Sequence, residues 1–150
     1  MMRLIVLLSI ALAQYAYGCP NGYHSHNGSC YAAVGVRSTW PNAYSFCKSL
    51  NGSLAIVDTE SERDYLHQFL NNRFGSKFVY YWVGATNLAD GSWMWAESTR
   101  PVDNLHWSSG YPTDGSNSQH CLQMVVAHHY YFGDNNCEAK NAFVCETQDA

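Results

Sequence analysis

The chain has 150 residues, 47% of them hydrophobic and 15% aromatic, and carries 8 Lys and Arg against 12 Asp and Glu, a net charge of −4. Nucleic acid and anionic membrane both call for clustered Lys and Arg, so this balance argues against either as the main partner. The length suits one domain with a real core.

The chain opens on Met1, Met2 and Arg3, followed by an apolar run over residues 4–13 and small residues at Ala16 and Gly18. This order predicts a signal peptide over residues 1–18, removed to leave a mature domain over residues 19–147. The run is too short to span a bilayer, and no other stretch approaches about 18 consecutive apolar residues. The expected product is secreted, extracellular and without a membrane span. Losing Arg3 makes it more acidic.

Residues 23–36 alternate loosely around Gly22, Gly28 and Gly35, as short strands joined by turns do. Thr39 can then cap a helix with Pro41 in its first turn. Ala43, Phe46, Cys47 and Leu50 recur at helical spacing, and Asn51-Gly52 stops the run. A short apolar segment over residues 54–57 leads to a second helix. That helix opens at Thr59 with Glu62 three residues on, a capping box. Its stripe is Tyr65, Leu66, Phe69 and Leu70, and Gly75 marks its end. Strand character returns over residues 78–84, 92–96, 121–127, 130–132 and 142–146. Residues 97–120 show no apolar periodicity and hold Pro101, Gly110, Pro112 and Gly115. A loop of that length in a compact domain is uncommon and usually functional or disordered. Two early helices followed by interrupted strands make an α+β pattern.

Six cysteines stand at Cys19, Cys30, Cys47, Cys121, Cys137 and Cys145. An even count in an exported chain reads as a disulfide framework, although spacing alone leaves roughly 15 pairings open. A zinc site is the competing reading, and no C-x-x-C pair supports it.

Taken in order, the cysteine spacing, Trp82-Val83-Gly84-Ala85, Gly91-Ser92-Trp93-Met94-Trp95 and Ala142-Phe143-Val144-Cys145-Glu146 resemble the C-type lectin-like domain family. The resemblance spans residues 19–146. It implies a fold of two helices, antiparallel sheets and a long ligand-binding loop. It also implies three disulfides: Cys47–Cys145 from the first helix to the last strand, Cys121–Cys137 at the loop, and Cys19–Cys30 closing an N-terminal hairpin. In the same pattern Trp82, Trp93 and Trp95 are core and loop-base residues rather than a sugar-stacking row.

Lectins of this family bind sugar through a Ca²⁺ held at the long loop. The motifs are Glu-Pro-Asn or Gln-Pro-Asp, a Glu two residues before the next cysteine, and Trp-Asn-Asp before the following one. This chain matches the spacing but carries Tyr111-Pro112-Thr113, Gln119 and Phe132-Gly133-Asp134. Only Asp134 is unchanged among the five side-chain ligands. Calcium affinity follows the number of charged ligands, so the resemblance implies a weak site. Pro112 stands where the family keeps a cis-proline. The expected carbohydrate surface is therefore Tyr111, Pro112, Thr113, Gln119 and Asp134. Candidate calcium ligands are Asp134, Gln119, Asp114, Asp90 and Asn87, although Asp90 beside Gly91 fits an ordinary turn equally well.

His128 and His129 would point to opposite faces of a strand, and with His120, His24 and His26 they read as a hydrogen-bonding rim rather than metal ligands. Asn27 and Asn51 begin glycosylation sequons. No nucleophile, zinc-protease or phosphate-loop motif is present, so an enzyme is not expected. The resemblance implies glycans or polysaccharides as partners, with innate defence as the setting by analogy. Any homo-oligomer would be non-covalent. The alternative is a lectin-like domain that binds a protein or mineral surface without sugar or calcium.

Overall fold

The computed structural model describes residues 18–103, 105–113, 117–129 and 131–148. The leader expected over residues 1–18 lies almost wholly outside them, as do Asp114 and Tyr130. The elements in chain order are β1 (His24–His26), β2 (Ser29–Ser38), α1 (Trp40–Ser49), β3 (Ser53–Leu54), α2 (Glu60–Phe74) and β4 (Tyr80–Thr86). They continue with β5 (Met94–Trp95), β6 (Cys121–Val125), β7 (Tyr131–Asn135) and β8 (Asn141–Gln148).

Both helices begin where their caps stand. The Thr39 hydroxyl accepts from the Asn42 amide, with Pro41 in the first turn. Thr59 and Glu62 form the reciprocal capping box, and Gly75 ends α2 at φ 54°. The buried stripe of α1 differs from expectation: Trp40, Ala43 and Cys47 are covered, whereas Phe46 and Leu50 are each 45% exposed. The sheet meets α1 along a narrower face than the apolar spacing allows for, and Phe46 reaches only the edge of Phe143. On α2, Leu66 and Leu70 are fully buried, while Tyr65 and Phe69 are roofed by the N-terminal hairpin. His26 stacks on Tyr65 at 4.0 Å while its Nε2 lies 3.2 Å from Asn27 Nδ2, and His24 tilts against Phe69 at 4.9 Å, so both pack on rings and His26 also keeps a hydrogen bond.

The strands lie in the order β1-β2-β8-β4-β6-β7, with β3 added on β8 and β5 on β4. The sheet is mixed, not purely antiparallel: β4 and β8 run parallel. Strand β8 enters between β2 and β4, and a strand antiparallel to β2 there is aligned with β4. Two core clusters flank this centre, one under α2 and one under α1. Trp82 and Trp95 are fully buried, and the Trp82 indole donates to the Ser38 carbonyl at 2.8 Å. The three disulfides are Cys19–Cys30, Cys47–Cys145 and Cys121–Cys137. One strand expectation is corrected: after β6 the chain turns through a 3₁₀ segment, Val126–His128, so the two adjacent histidines stand at a corner, not on a strand. His129, which caps that segment, takes a left-handed φ of 54°.

Candidate functional site

The loop leaves β5 and is tied down in two stages. Trp95 N–H donates to the Arg100 carbonyl and Val102 N–H to the Trp93 carbonyl, closing the loop base. Further on, Ser108 N–H donates to the Phe132 carbonyl and Phe132 N–H to that of His106, so residues 106–108 run beside β7. Gly110, at φ 85°, then turns the chain, and the Tyr111–Pro112 peptide is cis.

Thr113 comes to rest on Asp134. Its amide donates to Oδ1 at 2.7 Å, and its hydroxyl lies 3.2 and 3.3 Å from the two carboxylate oxygens. Asp134 is held by β7 and only 5% exposed. A carboxylate so covered needs such donors to remain there. Around this pair lies a depression of about 190 Å³ lined by Asn87, Gly91, Trp93, Pro112, Thr113, Asn117, Gln119, His120 and Asp134. His120 is braced on both sides, Nδ1 at 2.8 Å from Asn87 Oδ1 and Nε2 at 3.1 Å from the Asn117 carbonyl. Gln119 Oε1 is buried and has no hydrogen-bond partner among the described residues.

Four of the five residues expected to form the carbohydrate surface thus share one depression. Tyr111 does not line it. Its ring lies over Gly133, where an added Cβ would meet ring carbons at 2.9 Å. Burial, then a hydrogen bond with Tyr80 and the charge of Asp134, push the Tyr111 phenol up to about 12. Among the candidate calcium ligands, Asn87, Gln119 and Asp134 line the depression. Asp90 Oδ1 accepts from the Ser92 amide at 2.9 Å, an Asx turn. Asp114 lies outside the described residues.

The described donor set does not fit calcium. A Ca²⁺ ion takes six to eight oxygens, with several carboxylates to offset its charge. Among the described residues the depression offers one carboxylate, Asp134, already accepting from Thr113, and Asn87 Oδ1 is engaged by His120. No group of three His, Cys, Asp or Glu side chains able to hold a metal occurs among the described residues. The place of Asn117 and Trp93 in the lining was not expected. Trp93 reads as loop base, and it is: its ring meets Trp107 edge-on at 5.6 Å, and the residue also lines the depression. Asn117 lies in a stretch without periodicity and gave no signal.

A two-helix, mixed-sheet domain with three disulfides and a long loop hydrogen-bonded beside β7 is the C-type lectin fold. The family model of the lectin C-type domain matches residues 36–147, and the chain belongs to that family. It is 32% identical over 133 residues to perlucin from Haliotis laevigata, covering 87% of this chain and 84% of perlucin. It is 30% identical to a snaclec, salmorin, from Gloydius brevicauda, covering 95% and 92% of the two chains. The crystal structure of a calcium-independent type II antifreeze protein matches with a TM-score of 0.77 and 26% identity, over 91% of this chain and 99% of that one. No helix among the described residues is long and apolar enough to cross a membrane.

Proposed function

We propose that the protein is a secreted lectin that binds glycans in the loop depression through direct hydrogen bonds, with calcium weak or dispensable. The observation that carries this reading is Gln119 Oε1, a buried acceptor without a partner among the described residues, set beside Thr113, Asp134 and Asn87. An unsatisfied buried acceptor costs about 1–3 kcal/mol, and a sugar hydroxyl donating to it recovers that cost on binding. Asn87, Asn117 and Thr113 add polar groups around the rim, and Trp93 supplies an apolar surface for sugar C–H groups. The protein is a binding module and not an enzyme.

Export after a leader over residues 1–18 agrees with three disulfides, which persist in oxidising compartments. No cysteine is free among the described residues, so a homo-oligomer would be non-covalent. Asn27 and Asn51 are exposed at turns and open to glycosylation. Microbial or cell-surface glycans in innate defence are the proposed targets.

A glycan array probed in calcium and again in chelator tests this reading. Binding to a common set of glycans under both conditions is expected. Gln119→Ala and Asp134→Asn should each weaken it roughly tenfold, the worth of one good hydrogen bond. The similarity to a calcium-independent antifreeze protein favours a second reading, a domain that contacts a protein or mineral surface without sugar or calcium. No glycan retained in either buffer would replace the first reading with the second.

A further inference from the structure

The seven basic residues from Arg37 to Lys140 divide into two sets. Lys48, Arg63 and Arg100 are each bridged to an acid, at 2.7, 3.3 and 2.6 Å respectively. Arg37, Arg73, Lys77 and Lys140 are all exposed and make no ion pair among the described residues. These four come from β2, from the end of α2 and the turn after it, and from the approach to β8, yet they gather at one place. Arg37 and Lys77 lie 5.7 and 5.4 Å from the centroid of the same ring, Phe78. Arg73 lies 5.6 Å from Phe74, whose ring is 5.2 Å from Phe78. Lys140 joins Arg37 and Phe78 in lining a depression of about 120 Å³.

Arg73 has an ordinary explanation, since the last turn of a helix favours a cation. That account does not extend to Arg37 on β2 or to Lys140 before β8. Glu138, the acid closest to Lys140 in sequence, makes no ion pair with it. In a chain of net charge −4, four like charges brought together without an ion pair among the described residues repel one another, and cation–π contacts hold three of them in place. Such an arrangement is stabilised when an anion binds. Val36 and Val79, 66% and 48% exposed, stand close by in sequence to Arg37 and Phe78 and give the surface an apolar edge.

We infer that this end of the sheet, with Arg37, Lys77 and Lys140 at its centre, binds sulfated polysaccharide at a surface separate from the loop depression. Cations spaced around one aromatic patch suit discrete sulfates, each accepting from one or two side chains. Nucleic acid is the competing polyanion. It calls for a longer basic track, and the three disulfides belong to compartments where sulfated glycans are the common polyanions.

Heparin-agarose chromatography, repeated with fully desulfated heparin and with duplex DNA, tests the inference. The protein should be retained on heparin at about 0.05 M salt and released by about 0.5 M, because exposed charges are screened over that range. It should pass through the desulfated column. The triple variant Arg37→Gln, Lys77→Gln, Lys140→Gln should bind heparin at least about tenfold more weakly, with an unchanged circular dichroism spectrum. The charge-preserving Lys77→Arg and the distant Lys48→Gln should bind as wild type. Equal retention of the triple variant, equal retention on desulfated heparin, or stronger retention on DNA than on heparin would each overturn the assignment. Loss of glycan-array binding at the loop would leave these outcomes untouched, so the two readings fail separately.

Discussion

At the scale of single residues, two departures from the family's calcium motif are one structural change. The resemblance places a carboxylate or amide at position 111 and an asparagine at 133, where this chain has Tyr111 and Gly133. The tyrosine ring lies over the glycine, in the space a side chain at 133 would need. A Cβ there would also come within 3.1 Å of Val125. Gly133→Ala should therefore cost about 1–3 kcal/mol as an overpacked site. In a Tyr111→Ala background the ring is gone and most of that cost should vanish. Urea unfolding of the two single variants and the double variant gives the coupling between the sites. A penalty for Gly133→Ala that is the same with and without Tyr111 would show that the ring is not what confines position 133.

Among the elements, those whose signals are local were legible. Thr59 and Glu62 announce the start of α2 from within four residues, and the structure shows both halves of the box: Glu62 N–H to the Thr59 hydroxyl at 3.1 Å and Thr59 N–H to the Glu62 carboxylate at 2.9 Å. Thr59→Ala leaves the Glu62 amide without its acceptor and should destabilise the protein by about 1 kcal/mol. A shift of the urea midpoint without a change in slope is the expected signature. An unchanged midpoint would mean that α2 is held by its packing alone. Elements that depend on distant partners were harder to read. Phe46 and Leu50 keep helical spacing with Ala43, yet the sheet covers only part of that face. The corner at Val126–His128 interrupts a run with strand composition. Gln123 is a polar residue inside β6 with no local meaning; it is buried because its amide oxygen accepts from Asn135 and Asn141 at 3.0 and 2.8 Å. The loop divides in the same way. Thr113 and Asp134 were found through motif spacing, whereas the course of the Tyr111 ring depends on a glycine in a strand that meets it only after folding.

At the scale of the whole molecule, Glu146 joins parts that are far apart in sequence. It lies on β8 and is 8% exposed; it accepts from the Ser29 hydroxyl at the start of β2 at 2.7 Å and from the Ile56 amide beyond β3 at 2.8 Å. Burial raises its pKa above the ordinary carboxylate value, and the charges of Glu62 and Asp58 act in the same direction, while the two donors pull it down. With the folded pKa above the unfolded one, the folded state holds the extra proton. The stability this group contributes is complete below the ordinary carboxylate pKa and is lost as pH rises through the raised value. One group changes stability by at most about 1.4 kcal/mol per pH unit in that window. Glu97 acts oppositely, since its hydrogen bond from Lys48 lowers its pKa, so the wild-type profile alone does not isolate Glu146. The difference between wild type and Glu146→Gln does. The glutamine keeps an oxygen for the Ile56 amide and cannot ionise, so the variant should gain on wild type in urea midpoint as pH is raised above the carboxylate range. Parallel profiles for the two proteins would show that Glu146 titrates alike in the folded and unfolded chains, and that burial at the junction of β2, β3 and β8 does not govern its proton.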